Sequence, residues 1–98
     1  MRIHWTPEAH LDRVNIRDHI AKENRRAATS MDDLFEDAVA KLAEFPNLGR
    51  PGRVPGTREL IPHRSYRLVY RVLGDLVAIV RVIHTAREWP PSADQASD

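Results

Sequence analysis

The sequence contains no cysteine, which removes disulfides, thiolate metal ligands and a thiol nucleophile from consideration. No apolar run approaches transmembrane length, and the opening MRIHWTPEAH holds no hydrophobic core of the kind a signal peptide needs. The expectation is a soluble, cytoplasmic protein without a membrane partner. Lysine is scarce and is absent from residues 50–87, where all eight cations are arginine against Glu59 and Asp75 alone. Arginine presents a planar fork suited to phosphate or carboxylate, whereas a merely solvated surface mixes in lysine. Residues 1–49 carry seven Lys/Arg against nine Asp/Glu, so the overall charge of +1 conceals a strongly basic block.

What is present fits one domain. With 98 residues, 42% hydrophobic and 30% charged, the chain can bury a single modest core and is not disordered in bulk. Residues 58–90 organise the rest and read as three successive antiparallel strands. Two of them, Tyr66–Leu73 and Leu76–His84, are β-branched and aromatic runs joined by Gly74-Asp75, a two-residue turn suited to type II′. The strand beginning at Arg58 meets Pro62, so it should end early or bulge.

Upstream, residues 1–5 alternate like an edge strand that pairs with the later sheet. Thr6, Pro7 and Glu8 then supply an N-cap, a first-turn proline and an acid at the positive end of a helix reaching about Asn24. Its apolar residues form two rows, Ala9/Ile16/Ile20 and Leu11/Val14/Ala21, which suggests contacts on two sides. After a turn at Asn24, a second helix over about 27–45 places Met31, Leu34, Phe35, Ala38, Leu42 and Phe45 on one face. Asp32, Asp33, Glu36 and Asp37 fall on the other, solvated face. PNLGRPGRVPG, residues 46–56, is a loop and lacks the GK[ST] ending of a nucleotide-binding P-loop. The predicted architecture is α+β, a helical hairpin on a small antiparallel sheet within residues 1–90, followed by a polar, frayed tail over 91–98.

The hairpin turn predicts a register in which Leu73 faces Leu76 and each earlier residue faces one later. Tyr66, Leu68, Tyr70 and Val72 then share a face with Ile83, Arg81, Ile79 and Val77, the more apolar side and the one for the helices. The other side carries Ser65, Arg67, Val69 and Arg71 opposite His84, Val82, Val80 and Ala78. Arg67 and His84 become diagonal neighbours able to share one phosphate. Arginines beside a histidine, without metal-ligand spacing, suit acid–base cleavage of RNA with no metal or cofactor. In that scheme His84 is the general acid and Arg67 the phosphate clamp. Arg64, Arg71 and Arg87 assist, and Arg50 and Arg53 reach in from the loop. A general base is not evident, with His63 and Glu59 the nearest candidates. In the plainer alternative His84 simply ends a strand. Val69, Val80 and Val82 would form an exposed apolar patch fit for a protein partner.

The runs RVPGTREL, YRLVYRVLGDLVAIVRVIHTAREWP and LAEFPNLGRPG resemble the RelE/ParE superfamily of type II toxins over roughly residues 1–90. The resemblance implies a cognate antitoxin that wraps and blocks the toxin, with Val69, Val80 and Val82 as the expected seat of an antitoxin segment. It also implies one of two targets. RelE- and YoeB-like members cut mRNA in the ribosomal A site, and there Arg67 and His84 match the positions of a catalytic arginine and histidine. The glutamate and terminal tyrosine of the YoeB type have no counterpart, with Gly56-Thr57 and Thr85 standing in those regions. ParE-like members instead poison DNA gyrase and keep no nuclease residues, and RVPGTREL and VIHTAREWP are more similar to those. Ribosome-dependent mRNA cleavage is the first expectation, gyrase inhibition the alternative.

Overall fold

The computed structural model describes residues 1–87, 89 and 90 of the chain. The elements run β1 (Arg2–Trp5), α1 (Pro7–Ala21), α2 (Arg25–Glu44), β2 (Arg50–Pro51), β3 (Arg58–His63), β4 (Tyr66–Leu73) and β5 (Leu76–His84). They form a two-layer α+β domain, with the helical hairpin on one face of a five-stranded sheet ordered β1-β5-β4-β3-β2. The sheet is mixed, because the edge strand β1 pairs with β5 in parallel, Arg2 beside Leu76 through Trp5 beside Ile79. The expected loop also contains β2, which pairs Arg50 with Glu59 and Pro51 with Arg58. Residues 91–98, the expected tail, lie outside the described residues.

Thr6 makes the transition from β1 to α1 and fastens both to β5. Its hydroxyl accepts the Ala9 N–H at 3.2 Å as an N-cap and donates to the Val80 carbonyl at 3.0 Å, while its own N–H donates to the Ile79 carbonyl. Asn24 caps α2 in the same manner, accepting from the Ala27 N–H. The α2 core face is Ala28, Phe35, Ala38, Val39 and Leu42, so Val39 joins the expected stripe whereas Leu34 and Phe45 stay exposed. In α1 only the row through Ala9 and Ile16 packs on the core, and Leu11 points outward. The acidic face of α2 is not merely solvated. Asp32 and Glu36 both grip Arg13 of α1 at 2.6 Å, and that guanidinium lies 4.8 Å over the Trp5 ring. The hydrogen bond from Arg13 holds the Asp32 carboxyl below its ordinary value.

Between the layers, Leu68, Tyr70, Val77, Ile79 and Val82 meet Ala9, Phe35, Ala38, Val39 and Leu42. Tyr70 is fully buried, so its phenol needs partners. It accepts the Gly49 N–H at 2.9 Å and donates to the Pro46 carbonyl at 2.7 Å, pinning the proline-rich segment to the core. Gly49 is required there, since a Cβ would come within 2.8 Å of the Tyr70 ring and 2.7 Å of the Glu59 carbonyl.

Two stability outcomes follow from these contacts. Tyr70→Phe leaves the buried Gly49 N–H unpaired and should lower unfolding free energy by about 1–3 kcal/mol in urea titration, with the native fold retained. Because the folded Asp32 carboxyl is more acidic than the unfolded one, its contribution is present above the unfolded pKa and is lost as pH falls through the folded value. Asp32→Asn should therefore flatten the acid limb of a stability-against-pH curve and leave the limb above neutrality unchanged.

Candidate functional site

The β4–β5 hairpin departs from the one-to-one register in a way that reorganises the basic face. Gly74 has φ +59° and no other residue of the turn has positive φ, as a type II′ turn requires. From it the pairing runs as expected through Leu73/Leu76, Val72/Val77, Arg71/Ala78 and Tyr70/Ile79. Then β5 takes up one extra residue, Val80, and the next pairs are Val69/Arg81, Leu68/Val82, Arg67/Ile83 and Tyr66/His84. A one-residue insertion exchanges the faces of everything beyond it. His84 therefore stands beside Tyr66 on the helix-bearing side, while Arg67 lies opposite Ile83 on the open side. The expected juxtaposition of Arg67 and His84 on one face does not form.

Arg67 is committed elsewhere. Its Nη1 meets Glu59 Oε1 at 3.3 Å, its Nη2 donates to the Arg87 carbonyl, and the two side chains of the ion pair are only 16% and 5% exposed. The Arg67 Nε is also buried, without a hydrogen-bond partner among the described residues. Arg50 flanks the same carboxylate at 4.0 Å. Glu59 is thus the counter-ion of two arginines rather than a free base.

His84 is exposed, and its ring meets Tyr66 edge-on at 5.5 Å; Tyr66 in turn meets the core residue Phe35 edge-on at 5.9 Å. The Ala86 N–H donates to His84 Nδ1 at 3.1 Å, which fixes the ring proton on Nε2. His63 has the same arrangement, with Nδ1 accepting from the Ser65 N–H at 3.0 Å. Imidazolium, the form a general acid needs, carries a proton on Nδ1, so His84 would have to surrender this bond to take the role. Its ready function is to donate from Nε2–H.

The remaining candidates are dispersed. Arg64 is exposed in the β3–β4 turn, Arg53 sits between β2 and β3, and Arg71 is exposed towards the hairpin end. Arg87 lines a cleft with His84, and its carbonyl also accepts from the Arg67 guanidinium. The valine patch does not exist as a surface: Val69 and Val82 are buried, Val82 within the helix-side core, and Val80 is half-buried. The extra residue in β5 carries Val82 to the helix side, whereas Val69, in β4, keeps its expected face and is buried there.

Two adjoining cavities, of about 430 and 460 Å³, meet around His19, Tyr66 and His84 where the end of α1 passes the end of the sheet. Asp12, Asn15, Ile16, Arg81 and Arg87 continue one wall; Ile20, Lys22, Asn24 and Met31 continue the other. Asp12 is bidentate to Arg81 at 2.7 and 3.0 Å and also accepts the Val82 N–H at 2.9 Å, and this hydrogen bonding holds the Arg81 guanidinium above its ordinary pKa. The helical spacing of His19 from Asp12, Asn15 and Ile16 is the sign in the sequence that it shares their face. A third cleft, of about 260 Å³, lies between α2 and β3 and gathers Leu34, Leu48 and Ile61, which are 38, 49 and 47% exposed. Among the described residues no group of three or more His, Asp or Glu could hold a metal ion, and no helix is long and apolar enough to cross a membrane.

With fold and cleft defined, their relatives can be named. Residues 3–89 match the family described as the ParE toxin of the type II toxin–antitoxin system parDE. A Sinorhizobium fredii protein named as a toxin, Y4kP, is 39% identical over 90 residues, covering 91% of this chain and 93% of that one. The toxin RelE2 of Caulobacter vibrioides is 39% identical over 83 residues, covering 85% and 93%. A solved structure described as the chromosomal ParDE TA system from P. aeruginosa superposes with a TM-score of 0.75 at 28% identity, covering 86% of this chain and 95% of that one. The chain belongs to the ParE toxin family, within the RelE/ParE superfamily of type II toxins.

Asp12→Ala tests the wall of the cleft. It strands the Val82 N–H and unpairs Arg81, and should cost about 1–3 kcal/mol in thermal or urea unfolding. Arg81→Met should cost less, because Asp12 keeps the backbone donor.

Proposed function

We propose that this chain is the growth-inhibiting half of a toxin–antitoxin pair and that, once free of its antitoxin, it inhibits DNA gyrase by binding rather than cutting mRNA. The observation that carries this reading is the placement of Arg67 and His84 on opposite sides of the β4–β5 ribbon, with Arg67 locked onto Glu59. Cleavage at a ribose needs a cation on the phosphate and a proton donor at the leaving oxygen within one site. Here the cation is neutralised and partly buried, and the imidazole faces another cleft. The family model that matches is that of ParE, which supports this reading, while a toxin named RelE2 is also 39% identical. The solved relative is itself a ParDE system, which supports a cognate antitoxin as the resident partner. With no phosphate to clamp, exposed Arg50, Arg64 and Arg71 serve long-range attraction to an acidic surface.

The decisive variant replaces the buried pair by apolar residues of similar volume, Arg67→Met with Glu59→Leu, an exchange that folded proteins commonly tolerate. The double variant should still arrest growth and still inhibit supercoiling by purified gyrase, and mapped mRNA ends should match those of uninduced cells. New ribosome-dependent mRNA ends with the wild type, abolished in a folded double variant, would restore the nuclease reading. Arg67→Ala alone should instead lose roughly 3 kcal/mol of stability through the stranded Glu59 carboxylate.

A further inference from the structure

Two surfaces of the molecule are fit for partners, and their chemistry differs. The α2–β3 cleft is lined by exposed aliphatic side chains, with one acid and one base, Asp37 and Lys41, at its rim. Such surface suits a long-lived complex, since permanent interfaces are the more apolar ones. The groove around His19, Tyr66 and His84 has an apolar floor but a rim of hydrogen-bond donors. Its acid Asp12 is fully engaged by Arg81 and the Val82 N–H, which among the described residues leaves Glu23 against Lys22 and Arg87, with the Nε2–H of His84 as a further donor.

From this we infer that the groove is the toxic surface, and that it takes an acidic amphipathic helix of the target enzyme. The inference rests on the gyrase reading for the identity of that target. A helix fits better than a strand. Beyond Ile79, β5 has no strand neighbour on its β1 side among the described residues, yet the Val82 N–H that an added strand would need is already capped by Asp12. Recognition there falls to side chains. From Asp12 to Lys22 the α1 wall runs about 15 Å, three helical turns, enough to seat one apolar anchor on Tyr66 and Ile16 with carboxylates reaching Lys22, Arg87 and His84. Among the described residues the rim charges outside the Asp12–Arg81 pair, Lys22 and Arg87 against Glu23, leave a positive balance that favours an acidic segment over a basic one.

The test is charge reversal at two exposed positions, Lys22→Glu with Arg87→Glu, in the full chain co-expressed with its antitoxin. The double variant should fold, co-purify with antitoxin as the wild type does, and require at least roughly tenfold more protein to inhibit gyrase, with growth arrest weakened in parallel. His84→Ala should weaken inhibition in the same direction by a smaller factor. Undiminished growth arrest with unchanged antitoxin binding would overturn the assignment. So would undiminished arrest that antitoxin can no longer relieve, because the groove would then belong to the antitoxin. If the wild type leaves gyrase untouched while the double variant still loses growth arrest, the groove stands as the toxic surface and the gyrase reading is the part that fails.

Discussion

One extra residue in β5 determines what this domain can do. Up to Tyr70 and Ile79 the hairpin pairs residue for residue; past Val80 every side chain of β5 has changed sides relative to that pattern. The distortion is held by the start of the first helix. Thr6 bonds the carbonyls of Ile79 and Val80, and Asp12 bonds the Val82 N–H and the Arg81 guanidinium. Helix origin and strand irregularity therefore define one another. A chain that straightened β5 would detach α1, and one that moved α1 would leave backbone donors and acceptors of the irregular stretch unpaired.

That rearrangement divides a basic surface into two environments. On the open side the arginines converge on a nearly buried carboxylate, Glu59, where the cost of removing charge from water is offset by pairing. At the cleft side, imidazole donors and the Lys22 and Arg87 side chains border apolar residues and remain accessible. The first environment is structural cement and the second is an adhesive surface. An arginine count alone, however high, says nothing about which of these a given residue joins.

What was legible in the sequence was local. The Thr6-Pro7 helix start, the Gly74-Asp75 turn, the irregularity near Pro62 and the edge position of residues 2–5 each depend on neighbours in the chain, and each has its counterpart in the structure. The register beyond Tyr70 was not legible, because the contacts that hold it span 74 residues from Thr6 to Val80 and 70 from Asp12 to Val82. The same long reach hid the partnership of Arg13 with Asp32 and Glu36, which turns part of an acidic stripe inward. His84 is legible as a reactive group; its orientation and the approach of His19 to it are not, since both follow from where α1 crosses the sheet.

The first strand pairs in parallel with the last, residues 2–5 against 76–79. Consequently the amino-terminal segment must wait for nearly all of the domain to emerge from the ribosome before it finds its place. The sheet thus closes on itself late: its first-made strand is the last to be seated, after β5 exists to receive it.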